Sequence, residues 1–71
     1  MDKNYLFRIF LPDGSATVAA GGPFESEPEV RRRAHELSSA NRGACVEAFL
    51  EKDPVDVVRY RVGTRPVNAR L

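Results

Sequence analysis

Apolar residues recur in two periods along this chain of 71 residues, and the change of period divides it into elements. Tyr5, Phe7, Ile9 and Leu11 alternate on one side of an aromatic and β-branched run. Leu6 and Phe10 make the other side mostly apolar as well, interrupted only by Arg8, so a strand in the middle of a sheet is predicted. Pro12-Asp13-Gly14 supplies a fixed φ, a turn-forming carboxylate and a residue tolerant of positive φ, which predicts a reversal. Ser15 to Ala20 then reads as the return strand at a sheet edge, with Ala16, Val18 and Ala20 inward.

The period lengthens after Gly21-Gly22-Pro23. Ser26-Glu27-Pro28-Glu29 has the form of a capping box, a serine cap with a glutamate three positions on and a proline in the first turn. Phe24 is placed to staple against Val30. A helix is predicted from Glu27 to about Asn41, with a narrow apolar stripe of Val30, Ala34, Leu37 and Asn41 flanked by Ala40, and with Gly43 as its left-handed stop. Period two returns from Ala44 to Glu51, with Ala44, Val46, Ala48 and Leu50 on one face and Cys45, Glu47, Phe49 and Glu51 on the other. After Lys52-Asp53-Pro54 a fourth strand is predicted over Val57 to Val62, with Val58, Tyr60 and Val62 inward and Arg59 and Arg61 outward.

The fold class expected is therefore α+β: a single domain over residues 1–63 in the order strand–strand–helix–strand–strand, followed by a basic, mobile tail over 64–71. A four-stranded, mostly antiparallel sheet carries one helix on one face. Two strand orders meet these constraints. Order 2-1-3-4 is antiparallel throughout, and order 2-1-4-3 pairs the first and fourth strands in parallel, as in a β-grasp sheet.

Bulk properties narrow the function. A core this small needs economy, a partner or a second copy. The single Cys45 permits no internal disulfide, and no cysteine–histidine cluster is present to hold a metal. No run approaches the length of a membrane span and the amino terminus lacks a signal-peptide layout, so a complete, cytoplasmic protein with no membrane association and a reduced thiol is expected. The carboxyl terminus lacks the Gly-Gly of a sulfur carrier. Net charge is +1, but residues 1–30 sum to −3 and residues 31–71 to +4. Arginine outnumbers lysine nine to two, which is read first as coding composition and second as planar recognition of phosphate or carboxylate.

Candidate chemistry is sparse. His35 lies on the helix flank and Cys45 on the far face of the third strand, so no nucleophile–base pair is expected, and no catalytic, cofactor-binding or metal residue is assigned. The glycines before the helix lose an amide donor to Pro23 and face Glu25, Glu27 and Glu29, which repel anions. Arg32 and Arg33 are expected to pair with Glu29, and Arg32 also with Glu36. Arg31, His35, Ser38 and Arg42 share a flank with no acid among them, and with Arg65 and Arg70 of the tail they form a candidate anion or partner contact. A larger interaction surface is expected on the uncovered sheet face, from Leu6, Phe10, Phe49, Arg59 and Arg61. One helix covers one face only, so Leu6, Phe10 and Phe49 are expected to be exposed in a monomer. Glu47 and Glu51 are expected to pair there with Arg59 and Arg61.

Size and element order are similar to those of small bacterial and phage accessory proteins, some of them inhibitors of host defence complexes. The function expected is a non-enzymatic, homodimeric interaction protein that docks onto a larger protein or nucleoprotein partner. The alternative is a small nucleic-acid-binding regulator using the arginine-rich second half.

Overall fold

A computed structural model describes residues 3–55 and 57–67. The elements are β1 (Lys3–Phe10), β2 (Ala16–Phe24), α1 (Glu27–Ala40), β3 (Cys45–Leu50) and β4 (Tyr60–Val62). They form one four-stranded sheet in the order β2-β1-β3-β4, with every neighbouring pair antiparallel. The all-antiparallel alternative is thus the one adopted, and β1, the most apolar strand, is central. Phe7, Ile9, Val30, Ala34, Ala44, Val46 and Ala48 form the core between the sheet and α1, with Tyr5, Phe24, Leu37, Tyr60 and Val62 packed around them.

The β1–β2 hairpin closes on a three-residue loop. Gly14 N–H donates to Leu11 O at 2.9 Å and Leu11 N–H to Ser15 O at 2.8 Å, with Gly14 at φ 92°. This is a type I turn followed by a left-handed residue. Asp13 Oδ1 accepts from both Ser15 N–H and Ser15 Oγ. The loop length sets the register, and the register corrects one expectation. Leu6, Arg8 and Phe10 oppose Ala20, Val18 and Ala16, so these β2 residues share the outer face. Ala19 is the one that packs on the core, and Val18 is 58% exposed. A slip of one residue exchanges the faces of a strand, and the faces of β2 are the reverse of those predicted. Farther along, β2 carries one extra residue where Ala20 and Pro23 oppose Leu6 and Asn4. That bulge at Gly21-Gly22 returns Phe24 to the core side, where its ring meets Tyr5 and Phe7 edge-on.

The helix begins at the predicted place, but neither bond of the predicted capping box is seen among the described residues. Ser26 is the N-cap in extended conformation, but its side chain makes no capping bond. Glu29 reaches back past the cap, accepting from the N–H of Glu25, the residue before it, at 3.3 Å. At the other end the left-handed residue after the Asn41 cap is Arg42, at φ 60°, with Gly43 also left-handed at 78°. Gly43 N–H donates to Ser38 O at 2.8 Å and Arg42 N–H to Ser39 O at 3.4 Å, the bond pair of a Schellman motif. Ser38 replaces Ala40 in the buried stripe, and its hydroxyl donates to Ala44 O at 2.7 Å. That bond satisfies a carbonyl where the chain turns into β3.

The fourth strand is shorter than predicted. Only Tyr60–Val62 pair with β3, opposite Ala48, Glu47 and Val46. Residues 57–59 belong to the connection, which is held by Arg59 N–H on Ala48 O at 2.7 Å and by the Arg59–Asp53 ion pair.

Candidate functional site

The outer sheet face overturns the expectation of exposed aromatics. Phe10 is 0% and Phe49 6% exposed, and Leu6 is half-buried. No second layer of secondary structure is needed, because arginine side chains close the face. The guanidinium of Arg8 stacks 4.7 Å from the centre of the Phe49 ring, and that of Arg65 stacks 4.5 Å from Phe10. A guanidinium is weakly hydrated on its planar faces, so it shields an aromatic ring and keeps its edges for polar partners.

Those edges meet Glu47. This residue sits in the middle of β3 and is 0% exposed although it points away from the helix. Arg61 donates to its Oε2 from Nε at 3.0 Å and approaches it with Nη2 at 2.8 Å. Arg65 Nη2 donates to Oε1 at 3.0 Å and to Oε2 at 3.3 Å, and Arg8 Nη1 lies 3.9 Å from Oε1. Backbone pairing brings two of these side chains together, since Arg8 and Arg61 are the direct cross-strand neighbours of Glu47 on β1 and β4. Arg65 arrives because Gly63, at φ 78°, turns the chain after β4. A Cβ at Gly63 would stand 3.5 Å from the Cys45 Cα, so the turn passes close against β3.

Cys45 completes the patch. It is buried, and burial pushes its thiol above the usual 9.0, with the Glu47 carboxylate adding to the rise and Arg61 and Arg65 opposing it. The thiol is therefore protonated near neutrality and a weak nucleophile. His35 lies on the helix side, with Nε2 3.0 Å from the Tyr60 hydroxyl.

The other predicted contacts are dispersed. Arg31 is bonded to Glu27 at 3.3 Å and lies over the Tyr60 ring, so its flank does contain an acid, one turn earlier than the residues considered. Ser38 is buried on that flank. Arg33 pairs with Glu36 instead of Glu29, which is engaged with the backbone of Glu25. Arg42 is exposed at the end of the helix. Of the two expected outer-face pairs, Glu47–Arg61 forms, while Arg59 turns to Asp53. There it lines an open cleft of about 390 Å³ with Lys3, Asn4, Leu50, Lys52 and Asp53. Arg65, assigned from sequence to the tail, is tied to Glu47; Arg70 lies outside the described residues.

From sequence Glu47 was expected to pair with an arginine of the fourth strand, without being buried, and Arg8 was given no role. The signal was present but weak: one glutamate and one arginine, each in a strand apolar on both faces. Charges in such strands are buried in pairs. Which two pair depends on strand order.

Among the described residues no three potential metal ligands converge, and no helix is long and apolar enough to cross a membrane. Comparison of the chain with protein-family profiles, with curated proteins and with solved structures returned no match.

Proposed function

We propose that the protein is a non-enzymatic accessory or regulatory factor that docks its arginine-covered sheet face onto an anionic surface of a larger protein. The observation that carries this reading is the arginine cluster itself. Three guanidinium groups surround one buried carboxylate, and two of them, Arg61 and Arg65, keep side chains 50% and 39% exposed. Arginines fixed in this way lose little rotamer freedom on binding, and pre-organised, partly desolvated arginine is characteristic of the residues that carry interface energy.

The same geometry disfavours the nucleic-acid reading. A strand of nucleic acid presents a row of phosphates spaced along its axis, and proteins that follow it string their cations out to match. Here the cations share one point, and the rings that could stack with bases lie under them. The position of Cys45 and His35 on opposite sides of the sheet supports a binding role over catalysis.

Charge reversal tests the proposal. Affinity capture from cells that make the protein should return a partner with the parent chain that Arg61→Glu does not return, while Arg33→Glu, on the exposed helix surface, returns it unchanged. Equal capture by parent and Arg61→Glu would remove the outer face from the account. A gel shift whose binding falls steeply with salt would replace the protein partner with nucleic acid. Light scattering at working concentrations shows whether the docking unit is a monomer or the dimer expected from sequence.

A further inference from the structure

The backbone of β2 has a second side that the sheet does not use. Hydrogen-bonding direction alternates along an antiparallel strand, so a bond at one residue fixes the phase of the ladder. Leu11 N–H donates to Ser15 O, and on the other side of β1 Glu51 N–H donates to Asn4 O. Leu6, Arg8 and Phe10 therefore turn their backbone groups to β3, while Phe7 and Ile9 turn theirs to Ala19 and Thr17. The β2 residues that alternate with these, Ala16, Val18 and Ala20, point their N–H and C=O groups away from β1. Since β2 is an edge of the sheet, those groups have no partner among the described residues.

Edge strands in folded proteins are blunted by lysine, proline, an inward charge, a bulge or short length. Over residues 16–20, β2 has none of these. Residues 15–24 include no charged side chain, and Pro23 and the bulge at Gly21-Gly22 come after this stretch. Ala16, Thr17, Val18 and Ala20 are exposed. The opposite edge differs, because β4 is three residues long and carries Arg61.

We propose that β2 is a dimerisation edge, which pairs antiparallel with the β2 strand of a second copy about a two-fold axis at Val18. Self-complementarity singles out this occupant. With Val18 opposite the partner's Val18, Ala16 lies opposite the partner's Ala20, and Ala20 opposite the partner's Ala16. Three N–H and three C=O groups on each copy then form six hydrogen bonds, with none left over. A shift of two residues either way loses an end pair. No like charges meet, because the strand has none. A foreign peptide would be selected by pockets for its side chains, and Ala16, Thr17, Val18, Ala19 and Ala20 are too short to wall one. The axis is normal to the sheet, so two four-stranded sheets join into one, with both helices on one side and both arginine-covered faces on the other. The pairing uses backbone groups of β2 and does not rest on the docking face.

Residues 16–20 make a small patch beside the roughly 20–30 residues a side of a standard interface, so a dissociation constant on the order of 0.1 mM is expected. Sedimentation equilibrium of the full chain should fit a monomer and dimer with that constant. It should change little between about 0.05 and 0.5 M chloride, because no ion pair holds the edge. Amide hydrogen exchange locates the contact. Between about 10 µM and 1 mM protein the monomer fraction falls from about 0.8 to about 0.2, so the amides of Ala16, Val18 and Ala20 should slow about fourfold. The exposed turn amide of Lys52 should keep its rate. Val18→Glu puts like charges together at the axis and should raise the dissociation constant by about tenfold or more. Ala16→Pro removes an outward N–H and no bond to β1, and should act the same way where Val18→Glu does not fold. If neither variant folds, exchange in the parent chain decides.

A chain that stays monomeric at about 1 mM overturns the inference, as does a dimer that salt dissociates or assembly beyond two copies. A dimer in which the amides of Ala16, Val18 and Ala20 exchange at the monomer's rate places the contact elsewhere and overturns it too. Slowing that appears only with a captured partner protein, and not with more of this chain, gives the edge to a foreign strand instead. Arg61→Glu, which tests the docking face, should leave the dimer intact, so each idea can fail without the other.

Discussion

Replacing Glu47 by glutamine tests the physical account of the outer face, because it changes charge and almost nothing in shape. The carboxylate is fully buried and accepts from Arg61 Nε and Arg65 Nη2, both at 3.0 Å, with Arg61 Nη2 at 2.8 Å. A charge-assisted hydrogen bond contributes about 1.5–3 kcal/mol, so the three sum to roughly 5–9 kcal/mol before losses. Burying the carboxylate costs several kcal/mol in return. Two of the arginines are also about half exposed and recover water when released. Glutamine keeps one acceptor but turns an NH₂ donor toward guanidinium donors. The net loss expected is about 2–3 kcal/mol.

A domain of this length is stable by about 4–10 kcal/mol, so the loss is a large fraction. It lowers the Tm by about 10–20 °C. Thermal and urea unfolding followed by circular dichroism measure it, and a double-mutant cycle with Arg61→Gln isolates the pair. A coupling energy above about 1 kcal/mol is expected. A Glu47→Gln protein within about 0.5 kcal/mol of the parent, or a cycle that is additive, would refute the reasoning, because the carboxylate charge would then not be what holds the arginines.

Other parts of the fold give independent outcomes. Gly21→Ala places a Cβ 2.4 Å from Phe7 Cε2 and 2.8 Å from Phe24 Cε2, and should cost about 2–3 kcal/mol in urea unfolding because both rings belong to the packed core. Arg42→Gly relieves the left-handed conformation at φ 60° and should stabilise by about 0.5–1 kcal/mol, raising the Tm by several degrees. The raised Cys45 thiol contributes stability that is fully present below the unfolded thiol's pKa and is lost as pH rises through the folded value. Stability should therefore fall more steeply with pH above about 9 in the parent than in Cys45→Ala; parallel profiles would contradict the burial of the thiol.

Local pattern carried most of the architecture. Alternation in Tyr5–Leu11 and Ala44–Glu51, and the helical spacing of Val30, Ala34 and Leu37, placed three elements within a residue or two of their observed ends. The turn at Pro12-Asp13-Gly14 was legible because its residues are chosen for local φ and ψ. Errors fell where local preference is silent. The inward face of β2 depends on the count of residues in the loop, and its small side chains do not mark a side. Gly43 is left-handed as predicted, but the left-handed Arg42 before it was not foreseen, because an arginine in that conformation is held by the Schellman bonds to Ser38 and Ser39 and not by its own preference.

The candidate site was half legible. Phe10, Phe49, Arg61 and Glu47 were assigned to one sheet face from alternation alone, and there they lie. What covers that face was not readable, because Arg8, Glu47 and Arg61 become neighbours only once β1, β3 and β4 are paired in one register. Arg65 joins them only because the chain turns back at Gly63. The sequence by itself determined which residues are apolar, which segments alternate and which residues of a segment share a face, since these follow from periods of two and 3.6 residues. Tertiary structure alone decided that the face behind the helix is closed by guanidinium groups around a buried carboxylate. Burial and charge pairing depend on contacts across strands, and no local period records them.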